Sequence, residues 1–152
     1  MTLAAGHHTN LLTGLAVYIA AGGIEATWNT SGVYTALQTG IVLGNFPQSP
    51  DRIITLTVYD SDDDYALSDS EVMLQVRTRA EGADKRKVDD LDDAIFNLLQ
   101  NTCDLVLSTG VTIGQITRVS MGTFGQDTNT PARWSNFSNY SATTWRPSTH
   151  RI

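Results

Sequence analysis

A run of carboxylates between two predicted strands is the first feature that could do chemistry. Asp60, Asp62 and Asp64 occupy alternate positions, and Glu71 follows where a twelve-residue calcium loop places its bidentate carboxylate. Such spacing can surround a hard cation with oxygen, so one interpretation is a small calcium-dependent binding module. Tyr65 stands where that loop needs a glycine, and a bulky residue resists the left-handed turn. The other interpretation is a solvated hairpin loop whose charges keep sheet edges apart.

A second acidic cluster lies in the segment VDDLDD at residues 88–93. Paired carboxylates could bind a metal or perform acid–base catalysis. A helix N-terminus also collects aspartates, because the helix dipole is positive there. The preceding basic residues at 85–87 would neutralise part of this charge. We therefore interpret the cluster as the start of a helix, and its members are Asp89, Asp90, Asp92 and Asp93.

The single cysteine, Cys103, could in principle form a nucleophile–base pair with a histidine. The surrounding sequence predicts the end of a helix and a small buried side chain instead. His7 and His8 lie on a predicted loose arm and His150 lies near the C-terminus, where catalytic groups are poorly positioned. The GTFG segment at 122–125 lacks the lysine and the following helix of a phosphate loop. We predict neither an enzyme nor a bound cofactor.

Composition limits the remaining function classes. The chain has 152 residues, a length typical of one domain, and a net charge of -6. That sign is wrong for a protein that binds nucleic acid by neutralising phosphates. One cysteine allows neither an intrachain disulfide nor a multi-thiolate zinc site. No apolar run is long enough for a membrane span, and the N-terminus lacks a basic signal start, so we expect a soluble protein made in the cytoplasm.

The central stretch, residues 50–99, predicts strand, acidic loop, strand, basic turn and helix. Apolar residues alternate with polar ones around residues 54–59 and 72–79, which is typical of strands with one buried face. From Val88 to Thr102 the apolar spacing changes to three and four residues, which indicates an amphipathic helix. We expect this helix to lie on the apolar face of the hairpin.

The flanking segments complete an α+β prediction for one domain, residues 1–152. A flexible arm (1–8) precedes a helix from Leu11 to Ala21, capped by Thr9 or Asn10. Because that helix is nearly uncharged and contains Gly14, we expect a closely packed core helix. The alternative is a helix that also meets a neighbouring subunit, and this helix is one of the expected interface surfaces. Further strands are predicted at 24–30, 40–46, 111–121 with a bulge near Gly114, and 134–145, before a basic tail (146–152). The expected fold is a single mixed, mostly antiparallel sheet of about six strands flanked by two α-helices.

Arg77 and Arg79 share one face of a predicted strand with Gln75. Two interpretations stay open here. The arginines either form a charged interface, in which arginine is enriched, or they belong to an ordinary exposed sheet face.

Several segments, taken in order, resemble one protein family. They are Pro50-Asp51-Arg52, Leu67-Ser68-Asp69-Ser70, Gln75-Val76-Arg77-Thr78-Arg79, the VDDLDD segment and Arg146-Pro147-Ser148-Thr149-His150-Arg151. This order and spacing resemble the tail terminator proteins of long-tailed, siphovirus-type bacteriophages, also known as minor capsid or tail-completion proteins. The resemblance covers most of the chain.

The resemblance implies a structural virion assembly protein. It implies a homo-hexameric ring at the tail–neck junction that caps the tail tube, stops its polymerisation and contacts the head-completion or neck protein. DNA would pass through the lumen without specific binding, because an acidic wall repels phosphate. The alternative is another neck or head-completion protein. The expected interface residues are Asp62, Asp63, Arg77, Arg79, Arg146 and Arg151.

Overall fold

A computed structural model describes residues 2–129 and 131–151 of the chain. Two helices and seven strands follow one another along this part of the sequence. In chain order they are α1 (His7–Ala20), β1 (Ala26–Trp28), β2 (Thr39–Leu43), β3 (Ile53–Asp63), β4 (Asp69–Glu81), α2 (Arg86–Leu99), β5 (Cys103–Val106), β6 (Thr112–Gln126) and β7 (Arg133–Trp145).

The strands form one mixed sheet in the order β1-β2-β3-β4-β7-β6-β5. The β1–β2 and β2–β3 pairs are parallel, and the other four are antiparallel. The predicted α+β class with a mixed, mostly antiparallel sheet and two helices is therefore confirmed. The long β3, β4, β6 and β7 form the body of the sheet, which leaves the short β1 and β5 as its edges.

Both helices cover the same face of the sheet. Helix α1 packs on β1, β2 and β3, whereas α2 packs on β4, β6 and β7. The sheet curls around α1, because the β5–β6 connection also reaches it and Thr109 donates a hydrogen bond to the Asn10 carbonyl at 2.5 Å. One apolar core fills the space between the helices and this face, with members that include Leu11, Leu15, Ile54, Leu56, Val72, Leu74, Val76, Ile95, Leu99, Ile113 and Ala142.

The two parallel pairs differ from the expectation that short connections give antiparallel neighbours. β1 and β2 are so short that a connection of about ten residues can run back along the sheet. Tyr34 of the first connection lies against Gly40, where an added Cβ would come within 2.5 Å of the ring. Its hydroxyl also donates a hydrogen bond to the Ile41 carbonyl, which fixes the return path.

A seventh strand, β5, exceeds the predicted number of strands. Leu105 and Val106 pair with Ile113 and Thr112. Cys103 begins this edge strand and is exposed, so its prediction as a buried side chain at a helix end is wrong. The helix before it ends at Leu99, because the chain turns at Gln100 to enter the sheet.

Helix α1 begins at His7 rather than at Leu11, which shortens the predicted flexible arm. Gly6 is the N-cap in place of Thr9 or Asn10, and it gives no side-chain hydrogen bond. The first turn is stabilised by tertiary contact instead, since His7 Nε2 lies 3.1 Å from Thr144 Oγ1 of β7. The predicted close packing at Gly14 is confirmed, because an added Cβ there would lie 2.7 Å from Leu107 Cβ.

The strands of the central hairpin are longer than predicted. The segment Asp60–Asp63 belongs to β3 and Asp69–Glu71 belongs to β4, so the turn between them spans only residues 64–68. β6 likewise continues through Gln126, beyond the predicted strand end at residue 121, and includes the GTFG segment. The predicted bulge near Gly114 is confirmed by a register shift between Ile113 and Gln115.

Candidate functional site

The sheet face opposite the helices, called the outer face below, is charged at both ends. Because side chains alternate along a strand, the β4 residues in this row are Asp69, Glu71, Met73, Gln75, Arg77, Arg79 and Glu81. Glu81, at the end of the strand, is paired with Arg52 and Lys87. Uncharged polar residues surround the middle of this row, with Thr57 and Asn139 beside Gln75. The outer face is therefore acidic toward the hairpin turn and basic toward the opposite end of β4.

Arg77 lies between aromatic rings on the outer face. Its guanidinium carbon is 4.0 Å from the centroid of Phe46 and 4.4 Å from that of Phe124. Phe124 packs in turn on Phe137, with the two ring centroids 4.8 Å apart. The Arg77 Nε is buried and has no hydrogen-bond partner in the part of the chain that the structure describes. Desolvation lowers the pKa of Arg77. We call Arg77, Phe46, Phe124 and Phe137 the arginine slot.

The neighbouring Arg79 has a different environment, because its own chain buries it. Only 4% of Arg79 is exposed, and it donates hydrogen bonds to the carbonyls of Asp51 at 3.0 Å and Pro50 at 2.6 Å. Burial, together with the nearby charge of Arg133, lowers the pKa of Arg79 to about 10. Of the two predicted interface arginines on β4, Arg79 therefore holds a loop and Arg77 is the more accessible one.

Arg133 is a structural residue that the sequence did not single out. It is 2% exposed and lies in the first position of β7. Its guanidinium binds Asp127 at 2.7 Å, the Gln48 carbonyl at 2.6 Å and Asp51 at 3.3 Å. These bonds tie the β6–β7 connection to the segment before β3. Arg133 stands beside a predicted loop, so the sequence carried no signal that it would be buried.

The carboxylates proposed for calcium are distributed along the hairpin. The Asp62–Glu71 and Asp60–Met73 register pairs lie on the outer face. Asp64 instead accepts hydrogen bonds from the backbone N–H groups of Ala66 at 2.8 Å and Leu67 at 2.7 Å, which closes the turn. Within residues 2–129 and 131–151, no group of three or more His, Cys, Asp or Glu residues could hold a metal ion.

Asp63 and the C-terminal tail meet on the helix-facing side of the same hairpin. Asp63 accepts a hydrogen bond from Ser70 at 2.5 Å, which lowers the pKa of Asp63. Arg151 donates to the carbonyls of Leu67 at 2.8 Å and Asp69 at 2.7 Å. Arg146 Nη1 lies 3.4 Å from His8 Nε2. Residues 146–151, predicted as a flexible tail, thus pack against the hairpin turn and the start of α1, and Ile152 lies outside the described residues.

The aspartates of α2 do not form one solvated helix start. Asp92 is 1% exposed and faces the sheet, where it accepts a hydrogen bond from Ser138 at 2.9 Å and lies 3.4 Å from Arg118. Burial raises the pKa of Asp92. Asp89 accepts hydrogen bonds from Lys85 at 2.6 Å and Asn136 at 2.8 Å. The helix-start interpretation fails for Asp92, because that position belongs to the buried stripe of α2.

A depression of about 490 Å³ lies between α2 and the β1–β2 edge. Its wall carries charges of both signs, from Glu25, Arg52, Lys87 and Asp90. Arg52 and Lys87 also pair with Glu81 beside the depression, and the bond from Arg52 lowers the pKa of Glu81 to about 2. The positive charges of the wall are therefore compensated locally. The arrangement contains no nucleophile–base pair.

Comparison with known proteins agrees with this geometry. The family described as "Bacteriophage tail terminator protein" matches residues 23–130. A chain in a solved structure described as "Virion of native gene transfer agent (GTA) particle" is similar, with a TM-score of 0.51 and 14% identity. The likeness covers 86% of this chain and 93% of that one, and it shows a shared fold. No curated protein matches the sequence. Among the described residues, neither helix is long and apolar enough to cross a membrane. Because the family match spans most of the sheet and the whole of α2, this chain belongs to the bacteriophage tail terminator family.

Proposed function

We propose that the chain closes the end of a phage tail tube as a homo-hexameric ring, at the tail–neck junction of the virion. The ring stops tube polymerisation and offers its other side to the head-completion or neck protein. The observation that carries this proposal is the family match over residues 23–130. The family is one of structural tail proteins, and the proposed role requires no catalytic chemistry.

Several features of the fold support a role in assembly. Both helices lie on one face of the sheet, so much of the outer face is free to contact other subunits. The edge strands β1 and β5 offer two further surfaces. Acidic and basic ends of the outer face suit a heterologous contact, in which different surfaces of neighbouring copies meet and a rotation closes the ring. A net charge of -6 would let DNA pass through the lumen without being gripped.

Native mass spectrometry and tube polymerisation together test this function. The purified protein is measured over a concentration series, and tail tube protein is then polymerised with increasing amounts of it. We expect closed hexamers, in solution or on tube ends, and tubes that stop growing once capped. Tubes that elongate at the same rate at every concentration of the protein would contradict the proposal.

A second arm separates tail termination from a role in head completion. Gold-labelled protein is mixed separately with purified tubes and with DNA-filled heads that lack tails, and each mixture is imaged by electron microscopy. Label confined to one end of each tube supports tail termination. Label confined to the portal vertex of heads would favour the head-completion role instead.

A further inference from the structure

Arg77 is the arginine whose side chain makes no hydrogen bond or ion pair within the described ranges 2–129 and 131–151. The other arginines all have polar partners: Arg52 pairs with Glu81, Arg86 with Asp84, Arg118 with Asp92 and Arg133 with Asp127, while Arg79 and Arg151 bind carbonyls and Arg146 contacts His8. Arg77 has no such partner, and its guanidinium contacts only the rings of Phe46 and Phe124.

The phenylalanine rings of the arginine slot hold the Arg77 guanidinium in a fixed position. Phe46 and Phe124 restrain the planar guanidinium, so little side-chain entropy remains to be lost when an anion binds. The buried Nε lacks the hydrogen bond that a charged donor requires. A carboxylate from another molecule would bind the terminal guanidinium nitrogens of Arg77, which are not buried, and replace the water that Arg77 has lost.

The hairpin turn carries the complementary chemistry. Asp60 and Asp62 are exposed, and neither forms an ion pair in the described part of the chain. Tyr65 at the turn is 93% exposed and Leu67 is 54% exposed. The turn therefore combines unpaired carboxylates with an aromatic anchor, the residue types that suit a cation bounded by phenylalanine rings. We call residues 60–67 the acidic tip.

The acidic tip cannot reach the arginine slot of its own chain. Asp60, the tip carboxylate nearest to Arg77, pairs with Met73, four residues from Arg77 along β4, and Asp62 pairs with Glu71, six residues away. At the rise of a strand these separations are about 13 Å and about 20 Å, and neither carboxylate forms an ion pair with Arg77 of its own chain. β2 pairs with residues 53–56 of β3. The rest of β3, which leads to the acidic tip, extends beyond the end of β2. Any contact between tip and slot must therefore join two copies.

We propose that the arginine slot of one copy receives the acidic tip of the next copy in the ring. This inference rests on the proposed ring-forming function and names the residues that connect its members. The contact is heterologous, because a projecting hairpin of one copy meets a flat sheet face of the other. A DNA phosphate is a poorer occupant, because Asp60, Asp62 and Glu71 on the same face would repel the duplex.

Charge reversal tests the contact. The slot variant is Arg77→Glu, and the tip variant is Asp60→Lys with Asp62→Lys. Each alone places like charges in every contact, so we expect the concentration needed for ring assembly to rise at least about tenfold. An equimolar mixture of the two variants restores opposite charges at every contact of an alternating ring. We expect the mixture, and the chain that carries all three substitutions, to assemble near the wild-type concentration.

Matched controls carry the same charge changes elsewhere. Arg86→Glu changes a side chain that is 84% exposed, and Asp90→Lys with Asp93→Lys changes two exposed positions on α2. These variants should assemble as the wild type does. Circular dichroism melting checks folding, and the tip variant tests the contact independently if Arg77→Glu fails to fold, because Asp60 and Asp62 are exposed.

The outcomes separate this inference from the proposed function. If both variants form rings at the wild-type concentration, the proposed contact is wrong and the proposed ring still stands. A wild type that forms no rings, even on tube ends, would instead refute the function on which the contact rests. Closed dimers would refute the heterologous arrangement. Duplex DNA that binds the wild type and is released by Arg77→Glu, with ring assembly unchanged, would assign the slot to phosphate.

Discussion

Ser138 of β7 donates a hydrogen bond to Asp92 of α2 at 2.9 Å, and both side chains are buried. The bond joins α2 to a central strand of the sheet. Arg118 of β6 approaches the second carboxylate oxygen at 3.4 Å while its guanidinium lies 4.2 Å from the ring centroid of Phe96. Three elements therefore meet at a single buried carboxylate.

Asp92→Ala should be strongly destabilising. It leaves the buried Ser138 hydroxyl and the Arg118 guanidinium without their acceptor, and breaking a buried pair from one side costs about 3 kcal/mol of unfolding free energy. Asp92→Asn keeps an oxygen for Ser138 and should cost less. Urea denaturation measures both. The neighbouring Asp93 is exposed, so Asp93→Ala should change stability by less than about 0.5 kcal/mol. Equal losses at both positions would contradict the link.

Arg133→Ala should loosen the connections at the basic end of the sheet. The substitution removes bonds to Asp127, Gln48 and Asp51 at once and leaves a cavity where the buried guanidinium lay, at a cost of about 3 kcal/mol. Urea denaturation gives the loss, and limited proteolysis should cleave faster within residues 44–52. The control Arg86→Ala changes an arginine whose pair with Asp84 is exposed, and should cost less than about 0.5 kcal/mol. Unchanged proteolysis of Arg133→Ala would show that Arg133 does not hold this segment.

Gly14→Ala should destabilise the protein, although alanine is the better helix former by about 1 kcal/mol. The added Cβ would lie 2.7 Å from both Leu107 Cβ and Thr109 Oγ1, so α1 must move away from the β5–β6 connection. We expect a net loss of about 1–2 kcal/mol, measured by thermal and urea unfolding. Thr9→Ala, at an exposed position of the same helix, should be neutral or slightly stabilising. A gain in stability at Gly14 would mean that the helix is not held this closely.

Acidification should weaken the start of α1. Burial, and then the charge of Arg146, lowers the pKa values of His7 and His8 below 6.5, while Asp63 opposes the shift. The unfolded chain then binds more protons than the folded one below pH 6.5, so this stability is complete above that pH and is lost as the pH falls through it. Urea denaturation between pH 7.5 and about 5 measures how the free energy of unfolding changes with pH. This pH interval lies above the range in which ordinary carboxylates titrate.

The double variant His7→Gln with His8→Gln should flatten this pH dependence, because the titrating groups are gone. His150→Gln, at an exposed position of the tail, provides the matched control and should keep the wild-type slope. A slope that stays the same in the double variant would assign the pH dependence to other groups.

The local patterns of the sequence determined most of the elements. Alternation along β3, β4 and β7 and the apolar stripe of α2 each reflect burial on one side, which a chain records residue by residue. These patterns were sufficient for the α+β class, the central hairpin and the bulge near Gly114. The family resemblance rested on the order and spacing of short sequence segments. The match of the tail terminator family to residues 23–130 agrees with it.

Tertiary structure alone decided which polar residues are buried and which surfaces are free. Asp92 and Arg133 looked like surface charges, yet partners from distant segments compensate their burial, and no local pattern records a partner many residues away. Arg77 and Arg79 are equivalent by alternation, but only one of them lies beneath the segment that contains Pro50 and Asp51. Arg77 lies between Phe46 and Phe124, and Phe124 packs on Phe137. These rings come from separate parts of the chain, and the sheet brings them together.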